Sequence, residues 1–443
     1  MTPTEMVIIM MVAFVILLLL GFPLAFVLGG LAIIFGATLW GSLGVLQMFC
    51  RTTSVLMTSI AYVCTPLFIF MGAVLQRSGA AEAVFDALYI VLGRLKAGLA
   101  ISTVVICTFF AAATGIIGAS ITVMGLLALP AMLKHQYNKS LTTGTIMAAG
   151  CLGTIIPPSI ILIIYGAEAQ VSIAGLFIGG IGPGFVLSGL YIGYIVIRST
   201  LNPEMAPPIP REEASKYTGR QKLRMTAVSV VPTLFLIVAV LGTIFLGVAT
   251  PTEAAGLGSF GAILISAAYR RLNWGMLRDS CYQCMKITAM VMWIILGAKM
   301  FTSVFLGLGG GEVISNLVLG LELNRWLTLS FILFIILAMG MFIDCYGILL
   351  IGIPLFCPIV YSLGFDPLWF GIMFAIMIQA SYLSPPFAYA VFYLKGVSPP
   401  EAGITTGGLY KAVLPFIGLQ LIGLVICALF PSIITWLPSL MWK

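Results

Sequence analysis

The sequence predicts an all-α polytopic membrane protein made of two inverted-topology repeats, each with a re-entrant helical hairpin and a transmembrane helix broken by a Pro-Pro pair. Three observations lead there. The 443-residue chain is 61% hydrophobic and only 8% charged, too little polar surface to cover a soluble core. Two Pro-Pro pairs, Pro157-Pro158 and Pro385-Pro386, each interrupt an apolar segment and stand 228 positions apart (157 to 385). Basic residues collect in one alternate set of loops, as they do on the cytoplasmic side of membrane proteins.

The first repeat covers residues 1–200. Met6–Leu20 is apolar, Gly21-Phe22-Pro23 interrupts it and Leu24–Leu39 resumes, so two antiparallel helices and one long kinked helix both fit. The apolar run starts almost at Met1 and shows no cleavage pattern, which reads as a first membrane helix. A further span covers about Ser54–Leu75 and ends at Arg77, and Ala81–Leu92 with Glu82 and Asp86 is amphipathic and expected along the interface. The run at about 98–133 exceeds what one crossing of a ~30 Å core needs at ~1.5 Å per residue. Its centre, from Ala111 to Ser120, is small and glycine-containing, and Arg94, Lys96, Lys134 and Lys139 flank both ends. This describes a re-entrant hairpin; two ordinary spans with a tight loop are the alternative. The broken helix at 141–168 follows, with Gly153 to Ser159 at its centre. Proline lacks an N–H and its ring clashes with the preceding turn, so two in succession end a helix. Inside a bilayer the freed backbone groups persist only where protein or a watery cavity receives them. Ile173–Ile197 completes the repeat.

Residues 201–224 form a linker rich in proline (Pro203, Pro207, Pro208, Pro210) and in Arg and Lys, basic enough to be cytoplasmic. The second repeat, 225–443, opens with Met225–Val248, breaks at Thr250-Pro251-Thr252-Glu253 and continues through Ala254–Tyr269. A basic loop with Arg270, Arg271, Arg278 and Lys286 precedes Ile287–Leu306. A second overlong run, about 327–361, centres on Gly340 to Asp344; the Pro-Pro helix at 366–394 and a last helix at about Ile404–Leu429 follow. At the offset of 228, Pro23 matches Pro251, Pro130 matches Pro358 and Tyr165 matches Tyr393. Counting the overlong runs as hairpins gives each half an odd number of crossings, which turns the second copy upside down. With the linker inside, only Arg51, Arg325 and Lys443 lie outside, both termini are external, and the two hairpins enter from opposite faces.

Corresponding breaks in two halves of an apolar chain point to a carrier with a midplane site. Unwound carbonyls suit Na⁺, and helix N-termini favour an anionic group. The hydroxyls of Thr114, Ser120, Thr154, Ser159, Ser381 and Ser384 are candidate ligands, or else bond back to their own helices. Ser120, Pro158, Ser159, Pro385 and Pro386 are the candidate substrate contacts. Asp344 is the one carboxylate at a predicted hairpin tip, so it holds an ion or proton, or caps a half-helix. Glu253 reads as a cap, and Glu168 and Glu401 as solvated at the interface. Lys299, the one basic residue inside a span, snorkels, pairs with a carboxylate or attracts an anion. His135 reads as solvated. Gly179 to Gly184 superficially resembles a phosphate loop, but no strand precedes it, so a bend is expected. Cys281 and Cys284 have no second pair, and the nine cysteines read as packing residues. No His/Asp/Glu cluster suggests an enzyme such as a lipid-modifying transferase. The formal charge of +7 is explained by topology, so no nucleic-acid partner is expected.

Together, Phe109-Phe110-Ala111, Ile156–Ile160 with Tyr165-Gly166, Val171–Ala174, Leu176-Phe177, Thr250–Ala255, Gly340–Asp344 and Ser384–Pro386 resemble the large membrane subunit of TRAP (tripartite ATP-independent periplasmic) transporters over essentially the whole chain. The resemblance implies elevator-type, Na⁺-coupled uptake of an organic acid across the cytoplasmic membrane of a bacterium or archaeon. It implies a periplasmic solute-binding protein and a small four-helix membrane subunit, expected as a separate chain. It also implies one Na⁺ at Thr114, Gly115, Gly153 and Pro157 and another at Gly340, Asp344, Ser381 and Ser384. Where many relatives carry a Ser-Gly-Ser tip with an Asp shortly after, this chain has Thr114-Gly115-Ile116 and then Ser120. A stand-alone Na⁺ or H⁺/dicarboxylate symporter of the same architecture is the alternative.

Overall fold

Local chemistry places most helix ends. In the computed structural model, which describes residues 2–115, 117–210, 218–320 and 323–441 and all their side chains except those of Pro3, 111–114, Ser315 and 317–319, every regular element is helical. Eight of the described helices are long and apolar enough to cross a bilayer. Helix α1 (Pro3–Leu19) starts on a capping box between Thr2 and Glu5. Helix α2 (Leu24–Thr58) contains Gly41 at φ +73°, a conformation that only glycine takes without strain. The bend there is sharp enough to bring Val45 against Gly36, so the chain turns both at Gly21–Pro23 and at Gly41. Helices α3 (Cys64–Arg77) and α4 (Ala80–Leu92) follow.

Helices α5 (Gly98–Thr114) and α6 (Ile117–Lys134) form the first hairpin, with Gly115 at φ +59° in the turn. Helix α7 (Lys139–Gly150) winds into a 3-10 turn at Cys151–Thr154, and α8 (Ile160–Ala169) restarts beyond the prolines. Helix α9 (Ile173–Leu201) stays helical through Gly179–Gly184, with Pro183 inside it. These glycines serve close approach: Gly180 lies against the Ile155 carbonyl and Gly182 against that of Ile433. His135, expected in solvent, bonds to the Tyr89 hydroxyl at 2.7 Å. The linker, whose residues 211–217 lie outside the described residues, ties onto the loops at both ends of the first hairpin. Ile209 N–H donates to Gly93 O (2.9 Å), Ala97 N–H to Ala206 O (3.1 Å) and Asn138 N–H to Met205 O (2.9 Å).

The second half also holds a helical hairpin and a broken helix. Capping boxes of Thr218 with Gln221 and Thr250 with Glu253 start α10 (Gly219–Phe245) and α11 (Pro251–Ala268). Helices α12 (Trp274–Gly307) and α13 (Gly310–Leu319) precede the second hairpin, α14 (Arg325–Gly340) with α15 (Cys345–Ser362). The second broken helix is α16 (Pro367–Leu383) with α17 (Tyr389–Val397). Helix α18 (Thr406–Leu429) is followed by a short α19 (Ser432–Met441), beyond the last helix the apolar pattern marks. Helices α2, α3, α11 and α12 pack together as a framework. The hairpins and broken helices form a second group, in which α6 packs on α17 and α15 on α8. Each hairpin's second arm therefore rests on the far segment of the other half's broken helix.

Candidate functional site

Each hairpin tip abuts the break of its own half. A Cβ on Gly115 would stand 2.7 Å from the Pro158 carbonyl oxygen, so the first tip presses on the first Pro-Pro turn. A Cβ on Gly340 would overlap the Ser381 side chain, so the second tip sits on the last turn before Pro385. The two halves are also tied across the middle. The Thr154 hydroxyl donates to the Gln379 carbonyl oxygen (3.1 Å), and the Gln379 amide donates to the Tyr191 hydroxyl (3.2 Å), which also accepts from Gln420 (2.9 Å). Gln379 is 0% exposed, and pairing both ends of its amide offsets the cost of burying it in an apolar bundle. A Cβ on Gly118 of the first hairpin would stand 2.8 Å from the Tyr393 ring, so that hairpin packs closely on α17.

The candidate ligands hold distinct positions. Gly153, Pro157, Pro158 and Ser159 are all buried within the first break. Ser159 Oγ donates to Thr154 O (2.6 Å) and accepts from Leu162 N–H (3.4 Å), capping α8. The Ser381 hydroxyl donates to Ile378 O (2.7 Å) and that of Ser384 to Ala380 O (2.9 Å). These hydroxyl protons are spent on the chain's own backbone, which leaves oxygen lone pairs as the groups available to a cation. Ser120 is buried on α6. The Thr114 side chain and all of Ile116 lie outside what the structure describes. Asp344 caps α15, accepting from Tyr346 N–H at 3.3 Å. Gly115, Gly153, Pro157, Pro158 and Ser159 thus share one region, and Gly340, Asp344, Ser381, Ser384, Pro385 and Pro386 another. Among the described residues no group of three His, Cys, Asp or Glu side chains could hold a metal ion, so the oxygen donors here are carbonyls, hydroxyls and one carboxylate.

The two breaks differ in exposure. Residues 151–160 are buried throughout, whereas Pro385, Pro386 and Phe387 are exposed. A cavity of about 580 Å³ opens onto the second break, and Asp344, Tyr346, Tyr382, Tyr389 and Tyr393 line it. A further cavity, of about 760 Å³, lies between α2, α8, α12 and α15. On its wall Lys299 Nζ stands 2.9 Å from Glu168 Oε2, and the Tyr62 hydroxyl donates to Glu168 Oε1. The Glu168 side chain is only 14% exposed, which corrects the expectation of a solvated interfacial carboxylate and chooses pairing among the roles open to Lys299. Sequence reasoning had no signal for this pair, whose partners lie 131 residues apart on different elements.

The family described as "Tripartite ATP-independent periplasmic transporter, DctM component" matches residues 11–433. The chain is 30% identical to the C4-dicarboxylate TRAP transporter large permease protein DctM of Vibrio cholerae, over 96% of each chain. It is also 30% identical to the isethionate TRAP transporter permease protein DctMQ of Oleidesulfovibrio alaskensis, covering 95% of this chain and 64% of that longer protein. The crystal structure of the YdaH transporter of Alcanivorax borkumensis shares the fold at a TM-score of 0.62 and 15% identity, over 95% of this chain and 98% of that one. On the family match, the chain belongs to the DctM component of the tripartite ATP-independent periplasmic transporters.

Proposed function

We propose that this chain is the carrier of a Na⁺-coupled uptake system for an organic acid, moving by an elevator-type displacement of the hairpins and broken helices against the framework. The contact of each hairpin tip with a Pro-Pro break carries the reading: it brings unwound carbonyls, hydroxyl oxygens and a carboxylate together where the bilayer offers a cation no other ligand. One Na⁺ binds at the first tip and break (Thr114, Gly115, Gly153, Pro157) and one at the second (Gly340, Asp344, Ser381, Ser384). The acid lies between them at Ser120, Pro158, Ser159, Pro385 and Pro386. The matched contacts of α6 with α17 and of α15 with α8 support two inverted repeats, 1–200 and 225–443, joined by a cytoplasmic linker with both termini outside. Exposure of the second break alone fits a carrier open on one side. The relatives' C4-dicarboxylate and isethionate names support an organic anion as cargo. The DctMQ name of the isethionate relative supports a small four-helix membrane subunit as a partner, and the family description supports a periplasmic solute-binding protein.

The test is uptake by proteoliposomes that contain the small subunit and are supplied with the binding protein, titrated with Na⁺. At an effective dielectric near 20, a carboxylate ~4 Å from Na⁺ is worth about 4 kcal/mol before desolvation, so Asp344→Asn should raise the half-activating Na⁺ concentration about tenfold or more. An unchanged Na⁺ activation curve removes Asp344 from the site. Full uptake without binding protein would instead assign a stand-alone symporter.

A further inference from the structure

The cavity between α2, α8, α12 and α15 carries more than the carrier reading uses. Its wall holds two cations, Arg51 and Lys299, with Gln47 and Thr52 beside them, and Glu168 as the anion. Both Glu168 oxygens are engaged, one by the Lys299 ammonium and the other by the Tyr62 hydroxyl. An ammonium and a phenol placed for the two oxygens of one carboxylate form a carboxylate cradle, and in this structure the chain's own side chain fills it. The cradle and its occupant belong to different elements. Lys299 lies on the framework helix α12 and Tyr62 in the turn before α3, while Glu168 lies at the end of α8, the half-helix beyond the first Pro-Pro break. The volume of about 760 Å³ is that of a small-molecule site.

We propose that this cavity is an outer loading site for a carboxylate solute, in which the arriving carboxylate takes the place of Glu168 on Lys299 and Tyr62 and so releases α8 from the framework. The outward direction rests on the orientation proposed above, in which Arg51 is external and α8 ends at the outer face. With Glu168 in place the cavity carries a net charge of +1 from Arg51, Lys299 and Glu168, which draws an anion in; once Glu168 is displaced, the solute's own charge replaces it on Lys299. A dicarboxylate has a second charged end for Arg51.

The experiment reads binding without transport. In intact cells the full chain carries Cys50→Ser, which removes the exposed thiol beside Arg51, and Ser303→Cys, a new thiol at an exposed position on the cavity wall. It is labelled from outside with 2-sulfonatoethyl methanethiosulfonate (anionic) or 2-(trimethylammonio)ethyl methanethiosulfonate (cationic). A unit charge ~5 Å away in an aqueous cavity changes either rate about fourfold, in opposite directions. The anionic-to-cationic rate ratio, normalised to a free thiol, is therefore expected above one. It should rise about sixteenfold with Glu168→Gln, fall about sixteenfold with Lys299→Gln and persist with Lys299→Arg. Succinate, used as the dicarboxylate probe, should slow labelling of the chain with Glu168 and Lys299 intact, a readout that needs no variant of the pair. A ratio indifferent to Lys299→Gln, or no protection by millimolar succinate, overturns the loading site, as does a thiol reached only after the cells are permeabilised. Failure of Na⁺ coupling in the uptake assay leaves each of these readings unchanged, so the two proposals fail separately.

Discussion

The seat of the second hairpin tip on Ser381 yields a quantitative test in Gly340→Ala paired with Ser381→Gly. The added methyl of Gly340→Ala would overlap Ser381 Oγ and Cβ and stand 3.0 Å from Ile348 Cδ1. Overpacking of this kind in a filled interior costs about 1–3 kcal/mol. Ser381→Gly alone removes the hydroxyl bond to Ile378 O and puts a glycine into α16. Those changes cost about 1 kcal/mol each, or about 2 in all. Were the sites independent, the double variant would lose about 3–5 kcal/mol. If the tip rests on Ser381 as described, Ser381→Gly clears the space for the new methyl, and the double variant loses no more than about 2 kcal/mol. The coupling term is then about 1–3 kcal/mol in favour of the pair, well above the scatter of ~0.5 kcal/mol for independent sites. Reversible unfolding in mixed micelles titrated with SDS measures all four corners of the cycle. Additive losses would refute the packing argument, and with it the contact that brings the second tip to its break.

Three further outcomes follow from single contacts. Gln379→Leu removes two buried hydrogen bonds, to Thr154 and Tyr191, and should cost about 1–3 kcal/mol in the same assay; unchanged stability would mean the tie across the halves is idle. Gly180→Val drives a side chain into the Ile155 carbonyl and should lower the melting temperature in fluorescence-detected chromatography. Gly189→Val, on the same helix with nothing within 4 Å of its Cβ, should barely change it, and equal effects would contradict the close packing of α9. Cys50 and Cys281 are both exposed. A membrane-impermeant maleimide added to intact cells should label Cys50 and spare Cys281 until the cells are permeabilised; the reverse pattern would invert the proposed topology.

Much of the fold is legible because membrane insertion turns local features into geometry. An apolar run of given length either crosses or doubles back, paired prolines stop a helix wherever they fall, and Thr250 with Glu253 caps a helix through residues three apart. The cap that Asp344 makes was also readable as one of its two roles, since capping of α15 uses only its immediate neighbours. The glycine run at Gly179–Gly184 was only half legible because glycine has two uses. A sequence shows that the Cβ is missing but not whether the backbone bends there or a second backbone approaches, and along α9 second backbones do approach.

What the sequence settles by itself is set by neighbours along the chain: that this is a helical membrane protein, where capping boxes start its helices and paired prolines end them, and which family it joins. Tertiary structure alone decides which distant groups meet. Glu168 looks like any carboxylate at a helix end until α8 and α12 bring it to Lys299. Gln379 reads as an isolated polar residue until Thr154 and Tyr191 close around it. The two Pro-Pro turns are alike in sequence, yet one is sealed and the other open, because burial depends on what packs above a turn rather than on the residues that form it.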